Sequence, residues 1–369
     1  MTDDAHVRAE QRGALGILTL DRPAALNALT LGMVRGLQAQ LDAWAHDDSI
    51  KVVLLRGAGE KAFCAGGDIR ALRDAHLAGS DEPHAFFSEE YRLDVCIHRF
   101  PKPVVAWMDG IVMGGGMGLS QGAALRIATE RTRIAMPEVG IGFFPDVGGS
   151  WFLSRLPGAL GLYLGLTGQR INGADAVYAG LADCLASSDD AAMVESLLAA
   201  LPWGTAPVAT LLDGLAERLG VTAAAVADGS APPPGAAILP AMRAEVDHHF
   251  AHADVPTIFA SLAAAADGTA PDAAWARDTL ALLRARSPIA VCTTFEQLKR
   301  GRKMRLEDCF TMELAMTDRW LDHGDFIEGV RALLVDKDNA PRWRHPGIEA
   351  VTDAEVQRFF APADEVIHA

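Results

Sequence analysis

Strand-like and helix-like segments alternate over the first 150 residues, and this order restricts the folds open to the chain. Short apolar runs predict strands at 14–20, 51–56, 104–108, 125–130 and 132–137. Helices are predicted between them, notably around 69–77 and 84–99. Repeated strand–helix–strand order implies crossover connections in a single layered unit. The sequence therefore predicts an α/β fold for this half of the chain.

The remainder of the 369 residues has a different character. Residues 151–219 are predicted to form successive helices, and residues 256–337 are again mostly helical. Between them, 222–236 is the best linker candidate, because Pro232–Pro234 cannot continue a helix. We therefore expect three parts, which are a core at 1–205, a helical or linker segment at 206–255 and a C-terminal helical region at 256–369.

Charge and cysteine content exclude several classes of protein. The net charge of −15 disfavours nucleic acid and anionic membranes as partners. Five widely spaced cysteines without a CxxC pair predict free thiols in a reducing cytoplasm. The polar, acidic N-terminus does not resemble a secretory signal, and no apolar run reaches the ~18 residues that a membrane span requires.

Two glycine-rich turns each follow a predicted strand and precede a predicted helix. One, at 63–70, contains Gly66 and Gly67, and the other, at 109–118, contains Gly114–Gly116. Each alone is compatible with an ordinary turn, and a dinucleotide G-x-G-x-x-G motif does not occur in the second. Together they suggest one carbonyl oxygen held between two backbone amides.

A third segment, 136–149, places two carboxylates in apolar, glycine-rich sequence. Glu138 and Asp146 are expected either to be desolvated, which raises the pKa, or to accept hydrogen bonds from backbone amides. Pro145 suits the first turn of a helix, so we expect Asp146 near a helix N-terminus that keeps it ionised. A helix-terminal carboxylate without chemistry is the alternative for Asp146.

Other polar residues offer weaker candidates. His248, His249 and His252 include an i,i+4 pair but lack the glutamate of an H-E-x-x-H metal motif, which favours a solvated helix face and no metal site. Ser120 lacks the flanking glycines of a hydrolase nucleophile elbow. The basic cluster at 299–303 favours a solvated helix end over an anion site.

Taken together, these segments resemble the crotonase superfamily. The matching residues are 21–23, 26–29, 63–69, 114–116, Pro137-Glu138 and Gly148-Gly149. The resemblance implies a spiral of ββα units that binds acyl-CoA thioesters, with a C-terminal helical region covering the active site. It implies that the amides of Gly67 and Gly115 form an oxyanion hole. It also implies that residues 61–69 help to bind coenzyme A, with substrate contacts at Ala62, Gly66, Asp68 and Ile69.

Further motifs look like the 3-hydroxyisobutyryl-CoA hydrolase subfamily, a group of thioesterases of valine catabolism. They lie at 87–91, 143–149, 325–332 and 336–343, and the resemblance runs from about residue 12 to 360. Hydratases of the superfamily carry a second glutamate two residues after their Gly-Gly-Gly, where this chain has Gly118. The resemblance therefore implies hydrolysis of an acyl-CoA thioester rather than ordinary hydration.

Carried over by position, Glu90, Gly115, Glu138 and Asp146 form the substrate-contacting set. Glu138 would attack the thioester carbonyl or act as base on a water, and Asp146 would bind the substrate hydroxyl or position the water. No metal or redox cofactor is implied, and the acyl-CoA substrate is the main partner, with a homo-oligomer compatible. A hydratase or isomerase acting on another acyl-CoA is the alternative, and a non-catalytic CoA-binding protein is less favoured.

Overall fold

A computed structural model describes residues 6–269, 271–362 and 366–367. Its strands are β1 (Val7–Arg12), β2 (Leu15–Leu20), β3 (Val52–Gly57), β4 (Ala62–Cys64), β5 (Val104–Met108), β6 (Ile111–Met113), β7 (Leu125–Thr129), β8 (Arg133–Ala135), β9 (Ile171–Asn172) and β10 (Cys184–Ala186). One sheet has the order β1-β2-β3-β5-β7-β10 and the other the order β4-β6-β8-β9. Pairing is parallel except for β1 with β2 and β8 with β9. The predicted α/β class is confirmed.

Seventeen α-helices are present in the described part of the chain. They are α1 (Leu31–Ala45), α2 (Ile69–Leu77), α3 (Glu82–Arg99), α4 (Gly115–Gln121), α5 (Gly149–Phe152), α6 (Leu160–Thr167), α7 (Gly173–Ala179), α8 (Ala191–Ala200), α9 (Val208–Leu219), α10 (Ala223–Ala227), α11 (Leu239–Phe250), α12 (Val255–Ala266), α13 (Ala273–Arg284), α14 (Pro288–Gly301), α15 (Leu306–His323), α16 (Phe326–Val330) and α17 (Asp353–Phe359). The predicted C-terminal helical region is therefore confirmed.

The predicted ββα repeat is visible in the topology. In each unit the first strand joins the large sheet (β3, β5, β7) and the second joins the small sheet (β4, β6, β8). Because β4, β6 and β8 are parallel neighbours, the turns that follow them meet at one edge of the small sheet. This geometry brings together the three segments that the sequence singled out.

The prediction of successive helices alone over residues 151–219 is wrong at two places, where strands occur. β9 pairs with β8, and β10 extends the large sheet beside β7. Each strand is only two or three residues long, so no alternating pattern can develop, and pairing with a neighbouring strand decides the conformation. The predicted linker at 222–236 also contains α10, which Thr222 caps by accepting a hydrogen bond from the Ala225 amide.

The C-terminal helices pack directly on the glycine-rich segment at 136–149. The Trp320 indole of α15 donates to the Gly142 carbonyl at 2.7 Å, and the Ser287 amide, just before α14, donates to the Val139 carbonyl at 3.3 Å. The main hydrophobic core extends from Val7 to Ile367 and draws on all three predicted parts of the chain. The three-part division itself stays a prediction.

One of the three histidines in the 248–252 cluster is buried, so the solvated face predicted for that cluster is wrong there. His249 lies between helices, with Nδ1 2.8 Å from Ser261 Oγ and Nε2 3.2 Å from Asp272 Oδ2. Both ring nitrogens thus have protein partners. Contacts with α12 and with Trp275 of α13 bury the side of α11 that carries His249, which the sequence predicted to face solvent.

Candidate active site

The two glycine-rich turns are in contact. Gly66 has φ +104°, a conformation that side chains other than glycine rarely adopt. A Cβ at Gly66 would lie 3.3 Å from the Met113 carbonyl oxygen and 3.6 Å from the Gly115 nitrogen. Glycine at this position therefore allows the two backbones to approach each other.

The amides of Gly67 and Gly115 are available as donors at this contact. Hydrogen bonds from Leu29 N to Gly66 O and from Asp68 N to Leu29 O, both 2.8 Å, hold the first turn in place. Neither the Gly67 nor the Gly115 amide donates a hydrogen bond within the described structure. Gly115 begins α4, and the first amides of a helix have no acceptor within it. The arrangement suits one carbonyl oxygen, although its use as an oxyanion hole stays a prediction.

Glu138 lies at the edge of this contact, directly after β8. It is 6% exposed, and its Oε2 has no hydrogen-bond partner among the described residues. Its Oε1 would be 3.1 Å from a Cβ at Gly114. Burial, and then the charge of Asp146, raise the pKa of Glu138 well above its usual range. The desolvation expected from the sequence is confirmed.

Asp146 is buried as well, but the prediction that a helix N-terminus keeps it ionised is wrong. α5 begins only at Gly149, and Glu313 of α15 accepts the hydrogen bonds there, from Gly148 N at 2.7 Å and Ser150 N at 2.8 Å. Asp146 Oδ2 instead accepts a hydrogen bond from the Tyr91 hydroxyl at 2.8 Å. Burial raises the pKa of Asp146 to about 7, although the Tyr91 hydrogen bond acts in the opposite direction.

Helix α3 adds two more carboxylates. Glu90 and Asp94 are 2% and 0% exposed and lie against α4, where a Cβ at Gly115 would collide with the Glu90 carboxylate. A Cβ at Gly118 would lie 2.8 Å from Asp94 Cγ. Burial raises the pKa of both carboxyl groups well above the usual range. The α3–α4 interface thus requires glycine opposite each acid.

The site therefore contains five buried carboxyl groups. They are Glu90, Asp94, Glu138, Asp146 and Glu313. Within the described part of the chain, none of these five carboxyl groups forms an ion pair with a cationic side chain. Without such a partner, burial favours the protonated state of each group.

Sequence reasoning missed Tyr91, Asp94 and Glu313. Tyr91 and Asp94 fall inside a helix that was predicted, at one and four residues beyond Glu90. The i,i+4 spacing of Glu90 and Asp94 on a largely apolar helix was the available signal. Nothing in the sequence around Glu313 distinguishes it from a solvated helix residue.

Two of the remaining predicted contact residues, Ala62 and Asp68, already have partners within the protein. The Ala62 carbonyl accepts a hydrogen bond from Asn27 Nδ2 at 2.8 Å. Asp68 caps α2 and pairs with Arg22 at 2.8 Å, and Ile69 is the first residue of that helix. Their contact with coenzyme A stays a prediction.

The described residues form neither a membrane-spanning helix nor a metal site. None of their helices has the length and apolar character needed to cross a membrane. They contain no group of three or more His, Cys, Asp or Glu side chains arranged to hold a metal ion.

Three curated relatives align over nearly the whole chain. The mitochondrial 3-hydroxyisobutyryl-CoA hydrolase of Danio rerio is 41% identical, over 98% of this chain and 91% of that protein. The proteins of the same name from Rattus norvegicus and Homo sapiens are 39% and 38% identical, each over 97% of this chain and 89% of the relative.

Solved structures and a family model agree on the fold. A carnitinyl-CoA dehydratase from Mycobacterium thermoresistibile is 39% identical with a TM-score of 0.85, covering 98% of each chain. An enoyl-CoA hydratase from Rhodobacter sphaeroides 2.4.1 is 37% identical with a TM-score of 0.83, covering 99% of this chain and 100% of that one. The model of the family described as enoyl-CoA hydratase/isomerase matches residues 15–360. The chain therefore belongs to the enoyl-CoA hydratase/isomerase family.

Proposed function

We propose that this protein hydrolyses 3-hydroxyisobutyryl-CoA to 3-hydroxyisobutyrate and coenzyme A, a thioesterase step of valine catabolism. The observation that carries the proposal is the agreement of the three curated relatives, which are 38–41% identical over 97–98% of the chain and share that name. The buried carboxylates beside two free amides supply the chemical groups that such a reaction requires.

The two similar solved structures are those of a dehydratase and a hydratase, so a second candidate is hydration of an enoyl-CoA. Position 118 favours the hydrolase. A Cβ there would lie 2.8 Å from both Asp94 Cγ and Val147 Cβ, so a second glutamate of the hydratase type does not fit on α4. Addition of water across a double bond would then lack the glutamate that hydratases of the superfamily carry at this position.

In the proposed reaction the thioester carbonyl oxygen accepts hydrogen bonds from Gly67 N and Gly115 N. These donors stabilise the negative charge that develops on the oxygen as the carbon becomes tetrahedral. Glu138, in its ionised form, attacks the carbonyl carbon or takes a proton from a water that does so. Its raised pKa makes the ionised carboxylate a stronger base than one exposed to solvent. We infer no need for a metal or redox cofactor.

The proposal predicts thiol release from a panel of acyl-CoA esters. 3-Hydroxyisobutyryl-CoA should release coenzyme A fastest and 3-hydroxypropionyl-CoA more slowly. Free thiol is measured beside the absorbance of crotonyl-CoA, which reports hydration. Rapid loss of crotonyl-CoA absorbance without thiol release from any ester would establish the hydratase and reject the hydrolase.

Asp146 is proposed to accept a hydrogen bond from the 3-hydroxyl group of the substrate. Tyr91 occupies Oδ2, and no side chain of the described structure donates to Oδ1, which leaves that oxygen for the substrate. Asp146→Asn should therefore lower kcat/KM for 3-hydroxyisobutyryl-CoA by about tenfold more than for isobutyryl-CoA, since one hydrogen bond is lost only with the former. Equal losses on both esters would place Asp146 in the chemical step beside Glu138.

The cellular site and assembly of the protein remain proposals. We infer an acyl-CoA ester as the main partner, without nucleic acid or membrane, and a homo-oligomer remains compatible. The prediction of a cytoplasmic protein also stands as a prediction. The curated relatives are named mitochondrial, a statement that concerns those proteins.

A further inference from the structure

Three titratable side chains of α3 lie in a row along its contact with α4. Glu90, Asp94 and His98 are spaced i, i+4 and i+8, which places them on one helix face. Opposite them, α4 and its end present glycines at 115, 118 and 122. A Cβ at Gly122 would lie 2.8 Å from the His98 backbone nitrogen and 2.9 Å from His98 Cδ2, so both the backbone and the ring of His98 require glycine there. The three glycines thus allow α4 to lie close to the face of α3 that carries these titratable groups.

Asp94 lies in the middle of the row and has no hydrogen-bond partner among the described residues that would indicate a structural role. It is 0% exposed, and neither carboxylate oxygen has a hydrogen-bond partner among the described residues. The charged groups that act on it are Glu90, Asp146 and Glu313, all acids. An ionised Asp94 would have nothing to offset its desolvation, so it carries a proton at rest.

His98 ends the row at the protein surface. It is partly exposed and lines an open cleft of about 530 Å³ with Trp151, Arg305 and Glu307. No hydrogen bond within the described structure engages its ring, which packs against Phe310. Burial, with the nearby Arg99 and Arg126, lowers the pKa of His98 to about 4, against the opposite effect of Glu307. Its imidazole is therefore neutral at pH 7, with one nitrogen able to accept a proton and the other able to donate one.

We propose that Glu90, Asp94 and His98 form a proton route from the active site to the cleft at His98. Cβ atoms four residues apart on a helix are about 5–6 Å apart, so rotation of these side chains can pass a proton from each to the next. Glu90 supplies the inner end, since its carboxylate lies against Gly115.

The route rests on the proposed hydrolysis, which liberates a proton. The oxygen of water bonds to the carbonyl carbon as the carbon–sulfur bond breaks. One proton of the water ends on the sulfur of coenzyme A, and the other is left when the carboxylic acid product ionises. Where Glu138 accepts this second proton from the product, it must pass the proton on before it can act again.

The route is tested by Asp94→Asn and His98→Ala in the full chain, singly and together, with thiol release from 3-hydroxyisobutyryl-CoA as the assay. Each single change should lower kcat on the order of tenfold with KM unchanged. Because the groups act in series, the double variant should be no slower than the slower single one. His84→Gln, which replaces an exposed histidine of the same helix, serves as the matched control and should match the wild type.

Chemical rescue separates proton transfer from packing. Added imidazole should restore His98→Ala, whereas pyrazole, a ring of the same size and much weaker basicity, should not. Wild-type kcat in His98→Ala, additive losses in the double variant, or equal rescue by both rings would each overturn the route. Because His98 is only partly buried, the His98→Ala variant tests the proton route even if Asp94→Asn fails to fold. Absence of thiol release by the wild type would instead reject the proposed function.

Discussion

Replacing Glu138 by glutamine should reduce kcat for 3-hydroxyisobutyryl-CoA on the order of 10²–10⁴-fold while substrate binding is retained. Glutamine keeps the shape of the side chain but is neither a base nor a nucleophile. Glu138 has one oxygen without a partner and lies beside the Gly66–Gly114 contact, so the amide fits without displacing a neighbour. Such a loss, in kcat rather than in affinity, is expected of a group that acts in the transition state.

The measurement pairs kcat with the calorimetric Kd of a CoA ester for each variant. Glu89→Gln is the matched control, because Glu89 is on α3, pairs with Arg35 near the surface and has a side chain that is 30% exposed. It should behave as the wild type. A Glu138→Gln enzyme with turnover within a few fold of the wild type would assign the chemical step to another carboxylate of the cluster.

Gly115→Ala should lower kcat on the order of 10²–10³-fold, the loss expected when one oxyanion donor becomes unusable. The added Cβ would lie 3.0 Å from Leu29 Cδ1 and would collide with the Glu90 carboxylate. It therefore blocks the approach of a thioester to the Gly115 amide and also displaces Glu90. Two effects of one methyl group must be separated.

The same substitution in a Glu90→Ala background separates them. If the amide is needed for charge stabilisation, combining Gly115→Ala with Glu90→Ala should cause a further large loss of kcat, whereas a glycine that only makes room for Glu90 would give none. Gly32→Ala is the control, since Gly32 is also in the first turn of a helix and a Cβ there would approach nothing closer than 3.7 Å. Circular dichroism establishes that each variant is folded.

The meeting of the three glycine-rich segments could be anticipated from sequence because each one follows a short apolar strand. Parallel pairing of β4, β6 and β8 then places Gly67, Gly115 and Glu138 at a single edge. This part of the site depends on local signals, which are glycines and strand ends. Of the strands that directly precede the three segments, only β8 was predicted, since β4 and β6 are three residues long and only pairing with neighbouring strands defines them.

The surroundings of Asp146 could not be anticipated, because its neighbours are distant in sequence. Tyr91 lies 55 residues earlier, and Glu313, which accepts from the Gly148 amide, lies 165 residues after that glycine. Pro145 is a valid local signal for a helix start, but contacts with α3 and α15 override it. Strands β9 and β10 were missed for a related reason, since only their pairing partners define them.

The hydrogen bonds from Gly148 and Ser150 to Glu313 also have a consequence for biosynthesis. The ribosome makes the ββα units first, so the strands that carry the glycine turns can pair while α15 is still unmade. The Gly148 and Ser150 amides gain the carboxylate that accepts their hydrogen bonds only after residue 313 has left the exit tunnel. The nascent chain thus completes the proposed site only after α15 has emerged, and a product terminated before residue 313 would contain the turns without Glu313.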